Sequence, residues 1–193
     1  MTHIFIAKKP FLLRLFLLLP LISIFIAGPL VERADAASKE KIERRVAKAL
    51  TVFTEEVNGG DKLLSRAAGV LIFPSVKKAG IGIGAEYGEG ALQIGGTSVA
   101  YYSTAAASIG LQLGGQVRSQ FILFMEEEAL EKFRYSDGWE VGVDGSVALI
   151  TLGAGGKIDA SKLDEPIIGF ILNNKGLMYN LSLEGSKITE IDR

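Results

Sequence analysis

Any bond-making chemistry in this chain falls to carboxylates, lysines, serines or tyrosines. There is no cysteine, and the one histidine, His3, sits in a leader-like amino-terminal segment. These absences exclude imidazole acid–base catalysis, Ser-His-Asp and Cys-His nucleophiles, and zinc or copper centres built on His or Cys. They also exclude disulfides and a thiol for lipid attachment. The acidic candidates are Glu86 and Glu89 in EYGEG, joined by Asp137, Asp144 and Asp159. Such groups could serve acid–base or sugar chemistry in a hydrolase, or hold a hard cation such as calcium. Turn chemistry accounts for them better: the glycines around them read as turns, where acidic residues are common, and no EF-hand or nonapeptide spacing occurs. The sequence therefore assigns no catalytic residue, no metal ligand and no cofactor, and the expectation is a protein that is not an enzyme.

A glycine-rich run raises a second chemistry, phosphate binding. In GVLIFPSVKKAGIGIGAEYGEGALQIGG, residues 69–96, Gly80, Gly82 and Gly84 occupy alternate positions. In a strand they share one face, while Ile81, Ile83 and Ala85 share the other. A dinucleotide fingerprint needs its glycines at a strand-to-helix turn, and no helical pattern of useful length comes after them; no Gly-Lys-Ser/Thr completes a Walker loop either. Glycine inside a strand marks instead a bend, a bulge or a close approach by another element or a ligand. The pattern recurs in SIGLQLGG, residues 108–115, with Ser108, Gly110 and Gly114 on one face. Two strands with one bare face each predict backbone packed on backbone, as at the tight bends of a small barrel or sandwich.

The remaining candidate chemistry is cationic. Over residues 38–57, SKEKIERRVAKALTVFTEEV, apolar residues at Ile42, Val46, Ala49, Leu50, Phe53 and Val57 have the spacing of one helical face. Lys41, Arg44, Arg45 and Lys48 project from the opposite side. Two readings stand: a helix that covers the core with a solvated charged face, or one that can lie on an anionic membrane surface. Lys77-Lys78, just before the alternating glycines, is the second cationic group.

These groups need a scaffold. Hydrophobic residues make up 48% and charged residues 22% of the 193, which suits one globular domain. Lys8 and Lys9, an apolar run over 11–30 and Ala34-Asp35-Ala36 together predict a secretory signal peptide, residues 1–36, cleaved after Ala36, with an uncleaved anchor as the alternative. Cleavage would take four of the 21 basic and two of the 22 acidic residues, leaving a mildly acidic chain without the basic excess that nucleic acid requires. After the first helix, with Ser38 as its cap and Asn58-Gly59 as its stop, a short second helix is expected over 61–68, capped by Asp61. Alternating runs then place strands near 69–73, 79–86, 90–95, 98–103, 108–117 and 120–125. A helix is expected over 126–135. Asp144-Gly145 predicts a hairpin from 139–143 to a return strand at 146–152. A loop leads to strands at 166–173, 177–183 and 187–191. Trp139 is expected in the core, and of Tyr101 and Tyr102, on opposite faces, at most one. The sum is an α+β single domain over residues 37–193: about ten mostly antiparallel strands in a barrel- or sandwich-like sheet, with N-terminal amphipathic helices.

Four blocks, GVLIFPSVKKAGIGIGAEYGEGAL, YYSTAAASIGLQLGGQ, DGWEVGVDGSVAL and NNKGLMYNLSLEG, resemble the SYLF domain family from about Leu63 to Ile191. The resemblance implies lipid binding, of phosphoinositides in eukaryotic members, with actin binding in yeast-type members and no enzymatic activity as a family property. It also implies that the segment 38–57, with Lys41, Arg44, Arg45 and Lys48, contributes to lipid binding, and it places Lys77-Lys78 in a strongly matching block. For an exported, periplasmic or secreted chain, anionic phospholipid is the expected partner. The alternative is an envelope protein–protein interaction or scaffold module whose glycine-smooth sheet face receives a partner.

Overall fold

Apolar periodicity switches from 3.6 to 2 at Gly69, and the computed structural model changes from helix to sheet there. It describes residues 39–150, 152, 156, 158, 160–176 and 182–193. The expected cap Ser38, the signal peptide, Asp159 and most of the strand expected over 177–183 lie outside the described residues. Ala37–Arg193 forms one compact unit.

The amphipathic stripe forms helix α1, Lys39–Glu56, which buries Ile42, Val46, Ala49 and Phe53. Helix α2, Gly60–Arg66, starts one residue earlier than expected. Its cap is Gly59, held at φ 77°, and no side chain caps it. Asp61 therefore stands inside the first turn, where its charge suits the helix dipole.

Two long strands form the centre of the sheet. β1, Gly69–Ile94, and β2, Thr97–Phe124, pair antiparallel along their whole length. Where the sequence predicts six short strands, the structure joins them into two. The expected breaks are bends instead. Pro74-Ser75 sits where the register shifts between Phe73 and Val76, a bulge that removes the need for a proline N–H. EYGEG is no turn, since Tyr87 and Gly88 pair with Ala105 and Thr104. The reversal comes at Gly95-Gly96, a two-residue loop with φ 57° and 80°, the left-handed pair that matches strand twist.

Helix α3, Glu127–Arg134, precedes β3, Trp139–Glu140, β4, Ala148–Ile150, β5, Ile167–Gly176, and β6, Lys187–Glu190. Among the described residues the sheet has six strands in the order β3-β6-β2-β5-β4, with β1 also paired to β2. β6 takes Tyr102–Ala105 and β5 takes Gln116–Phe124. The hairpin expected after Trp139 does not form. Asp144 instead accepts a hydrogen bond from Glu140 N–H at 2.7 Å and closes a local loop. β3 pairs with β6, and β4 runs parallel to β5.

The sheet curls into a half-barrel and is covered on both faces. One core packs Phe53 of α1 against Phe121 and Phe170, ring centres 4.7 and 5.1 Å apart, with Val70, Ile72, Leu123 and Ile168 around them. The other gathers Leu71, Phe73, Ile122 and Phe124 under α3 and Trp139. Alternation along β1, β2 and β5 feeds both. Tyr101 and Tyr102 are accordingly both buried, one in each core, against the expectation of one at most. Backbone meets backbone at two glycines of β1. A Cβ on Gly90 would overlap the Ile72 carbonyl oxygen, and one on Gly80 would overlap Gly84 Cα. The bare face at Gly80 is thus taken up by the strand's own bend.

Candidate functional site

The cations of α1 are presented by the packing of its other face. With Ile42, Val46, Ala49 and Phe53 buried, Lys41, Arg44, Arg45 and Lys48 stand on the outward side, all four exposed. The helix is also pinned by polar contacts. Glu43 accepts a hydrogen bond from the Tyr101 hydroxyl and one of 3.1 Å from Ser98 Oγ. Lys39 Nζ lies 5.6 Å from the centre of the Tyr101 ring. Burial and the Glu43 carboxylate push the Tyr101 phenol up to about 12.

A cleft runs along either side of this helix, and their chemistry differs. One, of about 600 Å³, lies between α1, α2 and the Gly95-Gly96 turn and contains the carboxylates of Glu43 and Asp61. The other, of about 330 Å³, is walled by Arg45, Lys48 and Val52 of α1 and by Pro74, Ser75, Val117 and Ser119 of the sheet. Only the second brings the α1 cations to a cleft. Lys77 is the register partner of Val117, so it stands beside the same wall. Among the described residues the ion pairs are Arg118–Glu86, Lys132–Glu128 and Arg193–Glu89, and none of them engages Arg45, Lys48 or Lys77.

The six cations singled out from the sequence are therefore not one patch. Arg45 and Lys48 line the groove at Val117, and Lys77 is the register partner of Val117 on β1. Lys41 and Arg44 belong to α1 but do not line that groove. Extended backbone sends Lys77 and Lys78 to opposite faces, Lys77 exposed and Lys78 half-buried. Among the described residues no helix is long and apolar enough to cross a membrane.

Three of the candidate carboxylates, Glu86, Glu89 and Asp144, are engaged within the fold. Glu86 receives Arg118 Nη2 at 2.7 and 2.9 Å and Gln120 Nε2 at 2.8 Å, inside the curl. Glu89 receives Arg193 Nη2 at 2.7 Å and the Tyr87 hydroxyl at 2.9 Å. Asp144 closes its loop. Sequence reasoning passed over Arg118. In QVRSQ the polar residues Gln116, Arg118 and Gln120 alternate as a solvent face would, yet all three are buried.

No curated protein matches this chain. Residues 105–193 match the family model described as Ysc84: Las17-binding protein actin regulator. The matched stretch begins within β2, where Ala105 pairs with Lys187, and continues through α3 and β3 to β6. The family that this model describes is the SYLF (Ysc84) family, the one that the four sequence blocks resemble.

Proposed function

We propose that this protein is a non-enzymatic lipid-binding module that meets an anionic phospholipid surface, on the exported side of the cell, through the cationic groove between α1 and the β1–β2 arm. The observation that carries this reading is that Arg45 and Lys48 line the groove beside Val117, whose register partner is Lys77, and that all three cations stand outside every ion pair among the described residues. Cations beside an accessible groove attract phosphate, at roughly 1 kcal/mol for each cation near the surface. The match of residues 105–193 to the SYLF family model supports the same reading. The Las17 and actin terms belong to the description of that family, and export would separate this chain from such partners.

Co-sedimentation of residues 37–193 with phosphatidylglycerol vesicles tests it, because both cores close within that unit. Binding should weaken steeply with salt and be absent from neutral phosphatidylcholine. Replacing both Arg45 and Lys48 with Gln should lower affinity about thirty-fold, the equivalent of about 2 kcal/mol. Indifference to salt and to both substitutions rules the electrostatic reading out. Retention of an envelope protein after detergent removes lipid would favour the scaffold alternative instead.

A further inference from the structure

The middle of the β1–β2 arm carries an apolar face that no described residue covers. From Lys77 to Tyr87 the odd-numbered residues of β1 are exposed, and even-numbered Gly84, Glu86 and Gly88 are buried. Ile81 is 80% and Ile83 69% exposed, with Tyr87 at 52%. Ala79 and Ala85 fill the places between. The register sets Val117, Leu113, Ile109 and Ala107 opposite Lys77, Ile81, Ile83 and Ala85. Two exposed isoleucines on one face of these paired strands are costly in water, and contiguous exposed patches of this kind mark interaction sites.

Charge identifies the occupant. At one end the face runs into the cationic groove through Val117, which is 43% exposed and stands beside Lys77, with Arg45 and Lys48 across the groove. Between Lys77 and Ala85 the exposed positions hold no carboxylate. Glu89, beyond the far end, is occupied by Arg193 and the Tyr87 hydroxyl. An apolar face rimmed by cations complements the boundary between phosphate headgroups and acyl chains.

We propose that this face of the β1–β2 arm is a bilayer-inserting element: Ile81 and Ile83 enter the acyl boundary while Arg45, Lys48 and Lys77 hold the headgroups above it. The inference rests on the anionic-membrane reading and adds which element passes the headgroup layer. The chain lacks cysteine, so Ile83→Cys gives one labelling site for an environment-sensitive nitrobenzoxadiazole probe. With phosphatidylglycerol vesicles the probe should brighten several-fold, shift to the blue and be quenched by lipid brominated on the acyl chain. A probe on Asp137→Cys, exposed near the end of α3, should not respond. The pair Ile81→Ser and Ile83→Ser should lower affinity about ten-fold or more, leaving the salt dependence in place. Vesicle binding with a silent probe at residue 83 overturns the insertion and leaves the membrane reading standing. Failure of the unlabelled protein to sediment with vesicles at any salt overturns the reading beneath it. A blue shift that appears without lipid and grows with protein concentration assigns the face to a second copy and overturns the proposal.

Discussion

Glu86 shows how much one carboxylate's role depends on where the backbone takes it. Next to glycines it looks like a turn residue or half of an acid–base pair; in the structure its side chain is 4% exposed, against a 2% exposed Arg118. Both charges have lost water, and each is tolerable because the other is present. Glu86→Gln leaves the guanidinium uncompensated and should cost about 3–5 kcal/mol. The double replacement Glu86→Leu with Arg118→Met removes both charges and should recover most of that loss. Urea denaturation checks both, and an unmoved midpoint in Glu86→Gln would show that the pair does not support the fold. The solvated Glu128–Lys132 pair on α3 is the contrast, and Lys132→Ala should leave the midpoint where it was.

Helix α1 presents its cations only while it stays seated, and its seat includes an ionisable contact. Tyr101 holds its proton up to about pH 12 in the folded protein, through burial first and the Glu43 carboxylate second, whereas an unfolded tyrosine ionises near 10. Between those values the unfolded chain binds fewer protons than the folded one, so stability falls as pH rises. The contribution is complete below about pH 10 and gone above about pH 12. Tyr102, raised to about 12 by burial and the Glu190 charge, adds to the same window. Denaturation midpoints should decline across it, and Tyr101→Phe should flatten the decline. An equal slope in that variant would mean that Tyr101 is not the group responsible.

The curl of the whole sheet is set by close backbone contact, and that makes it sensitive to a single methyl group. At Gly90 an added Cβ would overlap the Ile72 carbonyl oxygen, and backbone at that point cannot step aside without opening the half-barrel. Gly90→Ala should cost about 1–3 kcal/mol or more. Gly115→Ala, whose Cβ would lie 3.8 Å from the Lys78 oxygen, should change stability by less than about 0.5 kcal/mol. Equal midpoints for the two variants would remove the curl from the account of stability. The same curl turns Glu86, Arg118 and Gln120 inward and leaves Ile81 and Ile83 on the outer face.

Local pattern in the chain specifies the elements that need no distant partner. The stripe Ile42, Val46, Ala49, Phe53 specifies both the helix and the side that must be buried, and thereby the side on which Lys41, Arg44, Arg45 and Lys48 stand. The four SYLF-like blocks were legible because they are long and ordered. Curvature and two-sided burial set the rest, and they come from contacts between distant segments. Six short strands became two long ones because Pro74 and the glycines bend a strand without ending it. Gln116, Arg118 and Gln120 alternate like a wet face and are dry because the sheet closes over them. Lys77 stands beside Val117, at the groove that Arg45 and Lys48 line, because the antiparallel register pairs the two, and no local pattern in β1 ties it to that distant residue of β2. Period-two alternation names two faces; which one meets solvent depends on what else in the chain arrives to cover it.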